Sequence, residues 1–169
     1  VYLPEIRFPA NVRVTADLGE ALASSDLVIA AVPSHGTREV LRKAAPQIRR
    51  GATVVSATKG LERNTLFRMS EVIEQECAPG TRIAVLSGPS FAQEVARGLP
   101  TALTVAGSAR FCELVTDALH GGALRIYSSA DVVGVEVGGA VKNVLAIATG
   151  ICDALDLGLN ARAALITRG

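Results

Sequence analysis

Lys142 has the sequence surroundings hardest to reconcile with an ordinary solvated side chain. It stands in the run Val141-Lys142-Asn143-Val144-Leu145-Ala146-Ile147. A buried ammonium is costly unless it is paired or faces a cleft. Burial also lowers a lysine pKa, which suits the group to proton transfer near neutrality. General acid/base chemistry is therefore one reading of Lys142, and a lysine snorkelling to the surface is the other. Three further polar clusters each follow an apolar run: Pro33-Ser34-His35, Ser56-Ala57-Thr58-Lys59-Gly60 and Ser87-Gly88-Pro89-Ser90. Lys59 offers a cation, and Ser90 opens a helical stretch whose first backbone amides suit an anion. Each cluster also reads as a plain polar loop, and a lone loop histidine such as His35 is usually solvated.

These clusters meet only if the runs before them are neighbouring strands that end on one side. The run 27–32 is short, apolar and closed by Pro33, as in a strand buried on both faces of a parallel sheet. Residues 36–48 read as a helix with Val40, Leu41, Ala44, Ala45 and Ile48 on one stripe, its last turn disturbed by Pro46. Strands follow at 52–56, 83–86, 101–105 and 124–127, with helices at 66–75, 90–97 and 109–119. Such alternation with short links implies an α/β fold with parallel pairing and right-handed crossovers. The weaker apolar signals of the later strands leave room for one antiparallel edge, and 124–127 reads as an edge strand. In such a sheet, ligands bind beyond the carboxyl ends of the strands, which makes the three clusters one polar crevice.

The pattern changes after Ser129. From 131 to 150 apolar residues surround most of a helix, which argues for a buried one. Gly138 and Gly139 cost helix propensity and so point to close approach of a neighbour. A break at 156–159 precedes another helix, with Asn160 as its cap. The chain thus divides into an α/β part, 1–129, and the start of an all-helical part, 130–169.

Composition excludes several classes of partner. The 17 basic residues balance 16 acidic ones, so no basic field is available for nucleic acid or for a membrane surface. No apolar stretch reaches membrane-spanning length without a charge. Residues 1–4 do not begin a signal peptide. Cys77, Cys112 and Cys152 form no CxxC pair, which argues against metal and disulfides and fits a reducing cytoplasm. No G-x-G-x-x-G occurs, so the residues alone do not establish a dinucleotide ligand.

The segments 30–35, 57–62, 86–96, 138–148 and 160–169, in this order and at about these separations, resemble the bacterial NAD(P)-dependent glycerol-3-phosphate dehydrogenases over nearly the whole chain. The resemblance implies a Rossmann-type, doubly wound, mostly parallel sheet followed by the start of an all-helical substrate domain. It implies NAD or NADP as cofactor. It also implies reversible reduction of dihydroxyacetone phosphate to sn-glycerol 3-phosphate, for glycerophospholipid synthesis in the cytoplasm, and it is compatible with a homodimer. By the same analogy Lys142 is the general acid/base, and Lys59 touches both substrate and cofactor. Gly88, Ser90 and Asn143 join the two lysines at the substrate, and Pro33 and Ala92 lie at the cofactor.

Two parts of the family pattern are expected to lie outside this sequence. The opening strand with its glycine-rich turn and the 2′-sensing residue should precede residue 1. The substrate-domain aspartate and the phosphate-gripping arginine should follow residue 169. The piece alone is then expected to bind cofactor poorly and to be inactive. Two other readings remain: a different dehydrogenase built on a Rossmann domain plus a helical domain (6-phosphogluconate or 3-hydroxyacid type), and a non-catalytic binding module.

Overall fold

The structure is a computed structural model describing residue 3 and residues 5–168. Of the opening tetrapeptide, residues 1, 2 and 4 lie outside the described set, as does residue 169. A five-stranded sheet runs β1 (Leu27–Ala30), β2 (Thr53–Ser56), β3 (Arg82–Ser87), β4 (Thr101–Gly107) and β5 (Leu124–Ser129), and its spatial order is the sequence order. The helices α2 (Ser34–Ala44) and α3 (Met69–Glu76) cover one face, where Leu41, Met69, Val72 and Ile73 pack on Val54. On the other face α5 (Ala109–Leu119) sets Cys112 and Val115 against Val55, Ala84, Leu86, Val105 and Ile126. Helices on both faces explain why β2 is buried throughout and why Val54 and Val55, pointing opposite ways, are both fully buried.

β1, β2 and β3 are mutually parallel, and β4 and β5 are parallel to each other. The reversal lies inside the sheet, where β3 pairs β4 antiparallel, so it is not confined to an edge strand. The link between those strands explains it. It contains only α4 (Ala92–Ala96), all of whose residues are exposed. A parallel return needs a crossover element packed along the sheet, and this five-residue helix does not lie on one. The chain therefore enters β4 at the end where β3 finished.

β1 also differs from the expected strand buried on both faces. Among the described residues it has one neighbour, β2, and Ile29 is 44% exposed. A short helix α1 (Leu18–Leu22) precedes it, capped by Asp17, whose carboxylate accepts from the amides of Gly19 at 2.7 Å and Glu20 at 3.2 Å. The disturbance anticipated at Pro46 is a single turn of 3-10 helix at Ala45–Gln47.

Beyond the sheet, α6 (Val132–Ala154) crosses the carboxyl end of β3, and α7 (Gly158–Arg168) packs against α6. α6 is long and apolar enough to cross a membrane by length and mean hydropathy, yet it rests on β3 and β4 and carries an ion-paired carboxylate at Glu136. It is not buried all round: Val133, Val144 and Ile147 are exposed, because only one side of the helix meets the sheet. Asn160 does not cap α7. The helix begins at Gly158, and the break before it uses positive φ at Asp156 and Gly158.

Candidate active site

The carboxyl ends of β1, β2 and β3 open on a cleft of about 330 Å³, lined by Val32, Pro33, Lys59, Ser87, Ser90 and Leu103 among others. Thr58 ties two of these ends together. Its hydroxyl donates to the Val32 carbonyl at 2.7 Å and accepts from the Val32 amide at 3.2 Å. The loop after β2 thereby holds a fixed height over β1, and Lys59 follows directly.

Lys59 reaches across the cleft, and its Nζ donates to the Gly88 carbonyl at 2.7 Å. Partial burial lowers its pKa first, and the charge of Lys142 lowers it further. Gly139 lies so close to the strand ends that a Cβ there would fall 2.5 Å from Ser87 Oγ and 3.7 Å from Lys59 Cγ. Lys142 follows less than one turn later, outside the cleft lining but near enough for its charge to act on Lys59. Gly139 is thus the glycine that admits a neighbour, whereas Gly138 faces open space. The burial expected at Lys142 is not found: Lys142 lies on the exposed part of α6, because Gly139 rather than Lys142 occupies the contact, and Lys59 is exposed too, though partly desolvated.

Gly88 is required twice over. Its φ is +144°, and a Cβ would lie 2.8 Å from the Ala102 carbonyl oxygen. The close approach of β3's end to β4 lets the Gly88 carbonyl face Lys59. Ser90 lines the cleft, with its hydroxyl only 3.5 Å from the same carbonyl. The helix expected to begin at Ser90 begins instead at Ala92 and is five residues long, so it presents no sustained dipole to an anion. Pro33 stands at the cleft wall as the residue before α2. Ala92 and Asn143 are exposed and outside the cleft lining, and His35 is exposed in the first turn of α2.

Two ion-pair groups frame the site, and neither was anticipated. Arg38 on α2 grips Glu62, at the far end of the Lys59 loop, through Nε at 2.6 Å and Nη2 at 2.8 Å, and reaches Glu76 through Nη1 at 2.6 Å. Hydrogen bonds from Arg38 and then Thr65 hold the Glu62 carboxyl down at about 2. The second group joins Arg68 and Ser70 to Glu136. The signal for Glu136 was present: it is a charge in the same apolar helix as Lys142 and raises the same burial argument.

Comparison with known proteins adds to this geometry. Residues 1–111 match the family model described as NAD-dependent glycerol-3-phosphate dehydrogenase N-terminus, and residues 131–169 match that of the C-terminus. A glycerol-3-phosphate dehydrogenase [NAD(P)+] of Xanthomonas euvesicatoria is 50% identical over 169 residues, covering 99% of this chain and 50% of that protein. Its counterpart in Thioalkalivibrio sulfidiphilus is 52% identical over 169 residues, covering 99% of this chain and 51% of that one. The crystal structure of glycerol-3-phosphate dehydrogenase from Coxiella burnetii superposes with a TM-score of 0.84 at 42% identity, covering 98% of this chain and 50% of its own. The chain spans about half the length of the curated relatives it matches.

Proposed function

Because this chain belongs to the NAD-dependent glycerol-3-phosphate dehydrogenase family, we propose that it supplies the sheet and first helices of a longer enzyme. That enzyme reversibly reduces dihydroxyacetone phosphate to sn-glycerol 3-phosphate. The observation that supports the reading is the contact of Gly139 with Ser87 and Lys59 at the strand ends, which brings the helix that carries Lys142 to the loop that carries Lys59, beside the cleft. The division into a nucleotide-binding part, 1–129, and the start of a helical substrate part, 130–169, belongs to the same reading. So do a cytoplasmic location without membrane insertion and a homodimer.

The cleft suits the nicotinamide end of a dinucleotide. Val32, Pro33, Ala57 and Leu103 give an apolar wall for a flat ring, and Lys59 is the cation beside it. Pro33, Lys59 and Ala92 are the residues assigned to the cofactor. Nicotinamide, NAD or NADP, supplies the hydride that C2 of the ketone receives when bound. The chain's own part is polarisation and proton transfer. Lys59, anchored on the Gly88 carbonyl, places positive charge beside the substrate and stabilises a developing alkoxide at C2. Lys142 gives its proton to that oxygen and takes it back in the reverse direction. Gly88, Ser90 and Asn143 are assigned to orienting the substrate.

The test is a spectrophotometric assay of the full-length protein with NADH or NADPH and, in parallel, dihydroxyacetone phosphate, 6-phosphogluconate and a 3-hydroxyacid. Turnover of dihydroxyacetone phosphate alone supports the proposal. Preference for either other substrate moves the protein to a different dehydrogenase class, and no turnover with any of them indicates a binding module.

A further inference from the structure

Glu136 takes no part in the chemistry just described, yet it is 7% exposed and is the charged side chain in the core among the described residues. Its carboxylate accepts from Arg68 Nη1 at 2.9 Å, from the Ser70 amide at 2.8 Å and from Ser70 Oγ at 2.6 Å. Burying a carboxylate is costly without such partners, so the three donors fix where this part of α6 can sit. All three belong to the start of α3. Glu136 therefore also caps that helix from another element, where negative charge is favourable.

Arg68 has a second connection. It closes the loop that Lys59 opens, through an antiparallel bridge with Leu61. The loop is stiffened by bonds from the Glu62 amide to the Phe67 carbonyl and from the Leu66 amide to the Glu62 carbonyl, each 2.9 Å. On α6, Glu136 precedes Gly139 by three residues and Lys142 by six. The carboxylate thus joins the element that presents Lys59 to the element that presents Lys142. Two ammonium groups drawn to one cleft repel each other, and that repulsion pushes α6 away from the loop. The buried ion pair acts against it.

We propose that Glu136 is a positioning residue: its clamp on Arg68 and Ser70 holds α6 against the Lys59 loop and sets the approach of Lys142 to Lys59. The consequence for turnover rests on the functional reading above, whereas the clamp itself does not.

The test uses the full-length protein without cofactor or substrate. Lysines are labelled with acetic anhydride across pH and, separately, with a short bis-succinimidyl cross-linker. Peptides carrying Lys59 and Lys142 are resolved by mass spectrometry, with Lys43, exposed on α2, as the internal reference. In the wild type a Lys59–Lys142 cross-link forms, and Lys59 acylates with a midpoint below the ordinary lysine value. In Glu136→Gln the cross-link yield falls by about tenfold, as expected when a charge-assisted hydrogen bond is lost. The Lys59 midpoint rises toward the ordinary lysine value. Ser70→Ala removes only the 2.6 Å hydroxyl bond and gives the same changes to a smaller degree, which keeps the test open if Glu136→Gln does not fold. A folded Glu136→Gln or Ser70→Ala with unchanged cross-link and midpoint overturns the clamp. In the active enzyme, Glu136→Gln lowers kcat while the KM for cofactor holds. An unchanged kcat in a variant that has lost its cross-link overturns the positioning role. A wild type inactive on dihydroxyacetone phosphate, whose cross-link nevertheless depends on Glu136, refutes the functional reading and leaves the clamp intact.

Discussion

Gly88→Ala is predicted to damage fold and site together, and the structure gives the size of the effect. The residue sits at φ +144°, where a side chain is strained, and the added Cβ would lie 2.8 Å from the Ala102 oxygen and 2.9 Å from Leu103 Cδ2. The leucine tip can move, but the carbonyl cannot without disturbing the β3–β4 pairing, whose last register pair is Ser87 with Thr104. Backbone strain of this kind costs about 1–3 kcal/mol, and forced overlap in a packed region costs a further ~1–3 kcal/mol. A total of about 2–6 kcal/mol is a large share of the roughly 5–15 kcal/mol that holds a domain folded. With a urea dependence of about 2 kcal/mol per molar, the unfolding midpoint should fall by roughly 1–3 M. The same change shifts the Gly88 carbonyl away from Lys59 Nζ, so activity should fall even at temperatures where the variant is folded. Gly138→Ala is the control of opposite sign. It lies inside α6 with nothing within 4 Å of the added Cβ, and should stabilise by about 0.5–1 kcal/mol. Urea curves for the two variants decide the matter. An unchanged midpoint for Gly88→Ala, or an equal loss in both, would refute the reasoning.

Two further predictions follow from the charges around the site. Lys142→Ala should lose about 10²- to 10⁴-fold in turnover, the usual worth of a general acid/base, while cofactor binding measured by NADH fluorescence stays near wild type; near-normal turnover would make Lys142 structural. Glu62 should titrate near pH 2, as followed by NMR of its carboxyl carbon, because Arg38 and Thr65 hydrogen-bond its ionised form. A carboxyl with a depressed folded-state pKa contributes stability that is fully present above the unfolded pKa and is lost as pH falls toward about 2. Arg38→Met should raise the Glu62 midpoint and flatten the acid dependence of stability over that range, and a Glu62 titrating in the ordinary glutamate range of the wild type contradicts the arrangement.

Membership of the glycerol-3-phosphate dehydrogenase family and the order of elements were legible in the residues because both rest on short segments. Apolar periodicity is a local property, so the helix read at 109–119 is α5 at Ala109–Leu119, and the strand expected at 83–86 lies within Arg82–Ser87. α1 escaped notice although Asp17 and Glu20 carry a capping pattern, because the helix is five residues long and buries only Leu22. Other features depended on which distant segments meet, and no local pattern reports that. Strand direction at β4 follows from whether the 88–100 link packs on the sheet. Edge exposure of β1 follows from having β2 as its one neighbour. Lys142 is exposed rather than buried, because Gly139 takes the contact with Ser87 and the next residues of α6 turn outward. Glu136 and Arg68 are 68 positions apart and read separately as two ordinary charges. They become a buried pair only when α6 comes down beside α3, since desolvation makes each charge require the other and only the folded chain supplies that desolvation.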